Sequence, residues 1–288
     1  MGNGWLMALV TSTLFNATPL ALAAMGGVLS ERAGVVNIAL EGFILLGAFV
    51  GFYFGLHSVF MGVLAVVVAG ALFGLLHAFF TQKARMNPVV SGLGLNLLIA
   101  GATRYLALRL FPQGDHIAGL SPNLFLSLAA VLPFLLVFTL QQTKFGLRLR
   151  AVGENPESAR MAGISPILPR YMAVMLSGIC ASIAGAYLSM ADAHTFTSDM
   201  SAGKGYVALA AVIFGKWNPL GAAGGALFFG FFYALQTQLQ INQYHLNWLG
   251  VEWTSPFLLD CLPYAMTLLA LVSVIGRATP PAALSQEE

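Results

Sequence analysis

The sequence predicts an all-α protein that crosses a membrane several times, and three observations lead to this prediction. Of the 288 residues, 58% are hydrophobic and only 8% are charged, whereas soluble domains carry about a quarter charged residues. The mean hydropathy is +0.81. Apolar runs of about twenty residues recur along the chain, and a helix of that length crosses the hydrocarbon core of a bilayer. A membrane β-barrel would show shorter segments of alternating polarity, so we predict a polytopic helical bundle.

The apolar runs predict about eight or nine membrane segments, including broken or re-entrant helices, within one transmembrane domain over residues 1–277. Residues 278–288 contain two prolines and two acids, which predicts a loose tail. The seventh run is too short to cross a membrane as a straight helix. The predicted segments are Trp5–Leu29, Ile38–Leu56, Val59–Phe80, Val89–Phe111, Leu124–Leu140, Tyr171–Asp192, Tyr206–Gly215, Ala222–Ile241 and Phe257–Gly276.

The composition also excludes several classes of protein. So few charges are incompatible with a soluble enzyme, a disordered chain or a coiled coil. A net charge of +2 indicates no nucleic-acid partner. The two cysteines, Cys180 and Cys261, both lie in apolar runs and are too few for a disulfide framework. The five histidines are scattered without the spacing of a metal site.

The distribution of basic residues predicts the orientation of the chain. They concentrate in two loops that two predicted segments separate, so both loops lie on one side, which the positive-inside rule makes cytoplasmic. This orientation also places the segment 30–37 and the turn 216–220 inside. The basic residues are Lys83 and Arg85 in the first loop, and Lys144, Arg148, Arg150, Arg160 and Arg170 in the second.

The longest polar loop, residues 141–170, contains signals for a short helix. Asn155 suits an N-cap, Pro156 the first helical position and Glu157 the first turn. Gly163 suits the position after the helix, where φ is positive. The spacing predicts a helix over Pro156–Ala162, which is too short to be stable alone. Before any family is considered, it is either a connector on the membrane surface or a helix that docks into a cytoplasmic partner.

Two segments, one in each half of the chain, interrupt the helical pattern in similar ways. The first is Gly34–Gly42 (GVVNIALEG) and the second is Gly203–Ala211 (GKGYVALAA). Each places glycines beside a short apolar stretch. Paired interrupted segments point to a transport pathway between two internal repeats.

Four polar residues inside the predicted spans are candidates for the substrate pathway, because polar groups in a membrane are costly and are usually functional. Three of them have a structural alternative. Asn16 can satisfy a carbonyl freed near Pro19, and Asn96 can bond a neighbouring helix. Glu41 can bond free backbone groups of the broken helix or pair with Arg32. We expect Asn37 and Glu41, one turn apart, to share a helical face. The candidates are Asn16, Asn37, Glu41 and Asn96.

Four further charged residues are expected to have structural or gating roles. Glu31 and Arg32 lie at the predicted cytoplasmic edge. Arg104 lies deeper in the fourth span and requires a partner, and Asp192 in the sixth span lies at a similar depth, so we expect the two to pair.

Several motifs together resemble one family. The stretch Glu157–Gly163 (ESARMAG) resembles the Glu-Ala-Ala-x-x-x-Gly loop of ABC importer permeases, with Ser158 in place of the first alanine. The segments Ser30–Gly42 (SERAGVVNIALEG), Ala151–Pro156 (AVGENP) and Gly215–Gly221 (GKWNPLG) resemble the permeases for nucleosides and simple sugars, which are related to ribose and branched-chain amino-acid permeases. The resemblance covers Pro19 to about Leu235.

This resemblance implies a complete transport machine in a bacterial inner membrane. Permeases of this kind work in pairs, often as two different chains, on a cytoplasmic ATP-binding subunit. A substrate-binding protein or lipoprotein outside the membrane delivers the substrate. The chain is similar to the shorter of two nucleoside permeases. The residues that would couple to the ATPase are Glu154, Asn155, Glu157, Arg160 and Gly163.

The sequence therefore predicts a transport subunit that is not an enzyme and holds no cofactor, with ATP bound by its partner, since it lacks a phosphate-binding Gly-x-x-x-x-Gly-Lys-Ser/Thr motif. We expect nucleosides as the substrate. The alternatives within the family are simple sugars, branched-chain amino acids or a vitamin. A different class, an ion-coupled transporter that works alone, would need Glu41 or Asp260 as its coupling carboxylate.

Overall fold

The computed structural model describes residues 2–111, 116–117, 119–241, 247–248, 251–252, 259, 261–273 and 279–285. Helices form most of this part of the chain. A single antiparallel pair, β1 (Asn247–Trp248) and β2 (Val251–Glu252), lies within it. The helices are α1 (Gly2–Arg32), α2 (Leu40–Gly55), α3 (Val59–Gln82), α4 (Pro88–Leu110), α5 (Pro122–Gln142), α6 (Lys144–Glu154), α7 (Pro156–Met161), α8 (Ile167–Tyr187), α9 (Lys204–Phe214), α10 (Pro219–Ile241) and α11 (Leu262–Ser273).

Six of these helices are long and apolar enough to cross a membrane. They are α1, α3, α4, α5, α8 with its π-helical continuation Leu188–Asp192, and α10. The all-α fold class is confirmed. The count of eight or nine segments stays a prediction, because α2 and α9 are shorter apolar helices and part of the predicted ninth segment lies outside the described residues.

The centre of the bundle consists of α1, α2 and α8, which pack against one another. Most residues of α2 from Leu40 to Phe52 are buried. Small residues allow the helices to approach closely. A Cβ at Gly185 of α8 would collide with the backbone of Ile44, and one at Gly70 of α3 would collide with Gly178. Such small-residue contacts are typical of helix packing in lipid. On the outer side, α10 packs along α1, and α3 along α8.

The chain between α1 and α2 is not helical. Residues 33–34 and 38–39 form turns, and the stretch 35–37 between them has no regular secondary structure. Asn37 lies in this stretch and is fully buried, whereas Glu41 lies in the first turn of α2. The expectation that Asn37 and Glu41 share one helical face is therefore wrong, because the helix begins only after Asn37.

The polar loop between α5 and α8 contains two helices. The predicted short helix is confirmed as α7, in which the Asn155 side chain accepts a hydrogen bond from the Ser158 amide at 2.9 Å. Gly163 follows it with φ +77°. The other helix, α6, was not predicted. The Thr143 side chain caps it by accepting a hydrogen bond from the Gly146 amide.

The described part of the C-terminal tail contains a short 3₁₀ turn, Ala282–Ser285, that lies against α6. Ala283 is buried, and a Cβ on Gly34 would lie 2.7 Å from its side chain. At Ala283, the tail that was predicted to be loose is packed against the residues that follow α1.

Candidate functional site

The two interrupted segments meet at Glu41. Its carboxylate accepts the amide hydrogens of Gly203 at 2.8 Å and of Gly205 at 2.7 Å. These amides lie at the start of α9, where helix donors have no partner within the helix. Glu41 itself lies in the first turn of α2. A side chain from one half of the chain thus caps the broken helix of the other half.

Glycine at positions 203 and 205 is required by this contact. Gly203 is the N-cap residue of α9 and has φ +77°, a conformation that other residues adopt only with strain. At Gly205, a Cβ would collide with the backbone of Glu41. The backbone of α9 therefore lies directly against the first turn of α2, with no side chain between them.

Both helices at this junction are too short to cross a membrane. α2 has 16 residues and α9 has 11, which correspond to rises of about 24 Å and 16 Å. The N-terminus of α9 faces the Glu41 carboxylate, and Glu41 itself lies in the first turn of α2. Because each N-terminus carries a partial positive charge, the negative charge of Glu41 offsets both. Half-helices that meet in this manner line substrate sites in many transporters.

Asn96 of α4 joins the same junction. Its side-chain oxygen accepts the Gly42 amide at 2.8 Å, which satisfies a free donor in the first turn of α2. Its side-chain nitrogen donates to the Ile38 carbonyl at 3.0 Å and to the Tyr206 hydroxyl at 3.2 Å. Asn96 therefore connects α4, the stretch before α2, and α9.

The other two pathway candidates have different surroundings. Asn37 donates to the Ser177 hydroxyl of α8 at 2.8 Å, and its side-chain oxygen is buried without a hydrogen-bond partner in the described part of the chain. Asn16 donates to the Ser12 carbonyl at 2.9 Å, one turn earlier in α1. The structure thus brings Glu41 and Asn96 together, with Asn37 beside them in sequence, while the hydrogen bond of Asn16 stays within its own helix.

Three further side chains in α9 and near it complete the junction, and none of them was among the predicted pathway residues. Tyr206 is exposed, with a relative accessibility of 45%, although its hydroxyl contacts Asn96. Lys204 is half-buried, and its ammonium nitrogen lies 6.0 Å from the centre of the Tyr233 ring. The Tyr264 hydroxyl donates to the Ala202 carbonyl at 3.1 Å. The glycines around Lys204 were the signal that could have marked these residues.

The predicted coupling residues lie from the end of α6 to just beyond α7. Together they form an exposed surface, the coupling surface. Glu154, Asn155, Glu157, Arg160 and Gly163 are all exposed, and the Met161 side chain between them is 93% exposed. Pro156 and Ala159 face inward and are buried. A cavity of about 470 Å³ opens beside α7. Its lining consists of Arg160, Gly163, Ile164, Ser165, Pro166 and Ile167.

Of the four residues expected to be structural or gating, two make direct contacts at the end of α1. Arg32 and Glu154 form an ion pair with a 3.7 Å separation, and Glu31 accepts a hydrogen bond from the Trp217 indole. Arg104 is exposed, and the expected Arg104–Asp192 ion pair is not among those formed by the described residues. Asp192 lies instead within electrostatic reach of Lys204 and His194. Residues at a similar predicted depth need not lie on facing sides of their helices.

Metal-ligating side chains do not gather at this site. Among the described residues, no three His, Cys, Asp or Glu side chains lie close enough to hold a metal ion. Asp260, the alternative coupling carboxylate, lies outside the described residues. What the junction offers is neutral hydrogen-bonding groups and aromatic rings around one carboxylate and one half-buried lysine.

A bundle of apolar helices with two half-helices at its centre and a capped helix in a polar loop defines a membrane transport subunit. Comparison with known families identifies which one. Residues 9–271 match the family described as the permease component of the branched-chain amino acid transport system. The chain belongs to this family of ABC transporter permeases and is a multi-pass protein of the bacterial inner membrane. This membership sets it apart from transporters that work alone.

Among the relatives that match the chain over nearly its full length are two permeases named for nucleosides. It is 38% identical to the guanosine ABC transporter permease NupQ of Bacillus subtilis, over 96% of this chain and 95% of that protein. It is 34% identical to the nucleoside ABC transporter permease NupC of Lactococcus lactis, over 96% and 95%. The resemblance inferred from the motifs is confirmed.

A solved structure shares the fold. One chain of an ABC transporter in an inward-facing conformation superimposes with a TM-score of 0.50 and is 14% identical. The match covers 93% of this chain and 97% of that one. At this identity the likeness shows the fold of a transporter membrane subunit and nothing of the substrate.

Proposed function

We propose that this permease subunit imports nucleosides, guanosine among them, and that the substrate passes the junction of α2 and α9. The observation that carries the substrate class is the full-length likeness to a guanosine permease and a nucleoside permease. The junction suits this class in its chemistry. A nucleoside offers hydroxyls and a flat base, which call for a few polar groups and aromatic surfaces among apolar walls.

At the junction, Asn96 and Tyr206 supply neutral donors and acceptors, and Tyr206 also presents an exposed ring. The half-buried ammonium of Lys204 is a further donor. Because Glu41 and Asn96 hold the starts of α9 and α2, a movement of α9 would change the shape of the passage. A substrate can favour one state of the passage only by binding it more tightly than the other.

The energy for this movement comes from ATP bound by a separate cytoplasmic subunit. We propose that this subunit docks on α7 and the cavity beside it, where Glu157, Arg160 and Met161 are exposed. The exposed Met161 would supply the apolar contact and the two charged residues the polar rim. A second, different permease chain would complete the membrane channel, and a substrate-binding protein or lipoprotein would deliver the nucleoside from outside.

The test is uptake by the complete importer in proteoliposomes. The two permeases, the ATP-binding subunit and the binding protein are assembled, and ATP-dependent entry of radiolabelled guanosine is measured. A complex whose ATP-binding subunit cannot hydrolyse ATP is the control. Unlabelled nucleosides, ribose, glucose and leucine are offered as competitors. Competition by nucleosides alone supports the proposal. Absence of ATP-dependent guanosine entry, together with ATP-dependent entry of radiolabelled ribose or leucine, would replace the proposed substrate.

A further inference from the structure

The C-terminal end of α1 lies between the exposed coupling surface and the half-helix α9. The Arg32 guanidinium donates through Nε to the Trp217 carbonyl at 2.8 Å. A second nitrogen of the same group lies 3.7 Å from the Glu154 carboxylate. One side chain thus contacts both the last residue of α6 and the turn between α9 and α10.

Trp217 is held firmly on both sides. Its side chain is buried, with a relative accessibility of 6%, and its indole nitrogen donates to the buried carboxylate of Glu31. Its own amide donates to the Val212 carbonyl in the last turn of α9 at 3.0 Å. Trp217 therefore moves with α9. Two hydrogen bonds attach it to the end of α1, one donated by Arg32 and one accepted by Glu31.

The contact on the other side is weaker. Glu154 is 58% exposed on its side chain, and exposed ion pairs contribute little to stability. The backbones nevertheless touch there, since a Cβ on Gly153 would collide with the Arg32 carbonyl. Arg32 thus has one partly buried hydrogen bond with Trp217, and one more exposed contact with Glu154 that can break and reform.

We propose that Arg32 is the positioning residue that transmits movement of α7 to α9. Movement of α7 on ATP binding displaces Glu154, which directly precedes the Asn155 cap of α7. Arg32 then shifts the Trp217 turn, and α9 carries the shift to its other end, where Gly203 and Gly205 contact Glu41. Arg32 touches neither ATP nor substrate in this role.

The inference rests on the proposed function for its assay but makes a separate claim. The proposed function names the substrate and the docking surface. The contacts of Arg32 connect the docking surface with the substrate passage. A positional role predicts loss of the link between ATP hydrolysis and transport without loss of either subunit from the complex.

The test compares Arg32→Gln, Glu154→Gln and the double variant with Arg148→Gln as the matched control. Arg148 is exposed on α6, so its variant loses the same charge away from this contact. Each complete importer is placed in nanodiscs. The readouts are recovery of the ATP-binding subunit, basal ATP hydrolysis, and its stimulation by the guanosine-loaded binding protein. Guanosine taken up per ATP is measured in liposomes.

We expect Arg32→Gln to recover the ATP-binding subunit in full and to reduce stimulation at least about five-fold, the lower end of typical coupling factors. Glu154→Gln should reduce this stimulation less, because glutamine keeps an oxygen that can still accept a hydrogen bond from Arg32. The double variant should be no worse than Arg32→Gln, since both changes act on one contact. Arg32→Lys should restore part of the stimulation, because a lysine can reach one partner but lacks the several donors of a guanidinium group. Arg148→Gln should behave as the parent does.

Parent-like stimulation and uptake per ATP in Arg32→Gln would overturn the inference, as would additive losses in the double variant. Loss of the ATP-binding subunit from Arg32→Gln would make Arg32 a docking residue and also overturn it. If Arg32→Gln fails to reach the membrane, the test rests on Glu154→Gln. Unchanged stimulation and unchanged uptake per ATP in that variant would reject the role of Arg32. A parent that responds to ribose but not to guanosine rejects the proposed substrate, and the Arg32 comparison is then made with ribose.

Discussion

The Glu41 carboxylate accepts the amide hydrogen of Gly205 at 2.7 Å, across 164 positions of the chain. The second carboxylate oxygen accepts from Gly203. Of the readings that the sequence left open for Glu41, the geometry shows the contact with free backbone groups of a broken helix, and Arg32 pairs with Glu154 instead. Glu41 can cap α9 and also line the substrate pathway, because the start of α9 borders the proposed passage.

We predict that Glu41→Gln reduces guanosine uptake about ten-fold, since a hydrogen bond to a charged group is worth about 1.5–3 kcal/mol. Glutamine keeps one acceptor oxygen and turns an NH₂ donor toward the other amide. Uptake at saturating guanosine is measured and normalised to assembled complex. Asp199→Asn, an exposed residue that loses the same charge, is the control. Equal uptake in the two variants would contradict a role for the Glu41 carboxylate.

Gly205→Ala should weaken transport strongly. The new Cβ meets the Glu41 backbone, which cannot move aside as a flexible side chain could, so α9 has to shift away from α2. We expect uptake to fall to a small fraction of the parent value while the complex still assembles. Gly101→Ala in α4, where nothing lies within 4 Å of the added carbon, is the matched control. Parent-like uptake in Gly205→Ala would show that the two backbones are not held together during transport.

Asn96→Leu removes three hydrogen bonds at once and leaves the Gly42 amide without its partner. We expect a loss of uptake of about ten-fold or more, because an unsatisfied buried donor costs about 1–3 kcal/mol. Tyr206→Phe removes one of the same bonds and should cause a smaller loss. The measurement is uptake over a series of guanosine concentrations. A larger defect in Tyr206→Phe than in Asn96→Leu would assign the substrate contact to the tyrosine alone.

The parts that local signals specify could be predicted from the sequence. Asn155 and Gly163 cap α7 as expected, and the seventh apolar run forms a helix of only 11 residues, α9. The amphipathic helix α6 was missed because its basic residues resemble a loop, although Gly146, Leu149, Val152 and Gly153 are buried at helical spacing.

Contacts between distant segments could not be predicted in this way. The partners of Glu41 are backbone amides, which no list of polar side chains includes. The placement of Asn37 was wrong because it assumed that helical periodicity continued through residues 33–39. The partner of Arg104 was inferred from depth alone, which does not determine the direction in which a side chain points.

At the coupling surface, we predict that Gly163→Val reduces recovery of the ATP-binding subunit with the permease several-fold. The cause is backbone strain, since Gly163 has φ +77° and nothing lies within 4 Å of an added Cβ. Gly163→Asn should therefore recover most of the subunit, because asparagine tolerates positive φ. The measurement is co-purification, followed by stimulated ATP hydrolysis. Equal losses in the valine and asparagine variants would indicate contact with the partner at this position and reject the strain explanation.

The orientation predicts that α7 faces the cytoplasm, and single-cysteine labelling can measure this. Cys180 and Cys261 are first replaced by alanine, and Ser158→Cys and Ser198→Cys are then introduced separately. Both serines are exposed, and they lie in loops that an odd number of predicted segments separates. We expect a membrane-impermeant maleimide added to intact cells to label Ser198→Cys. Ser158→Cys should react only after the membrane is opened, because five basic residues hold its loop inside. Labelling of Ser158→Cys in intact cells would invert the topology and place the proposed ATPase dock on the wrong side of the membrane.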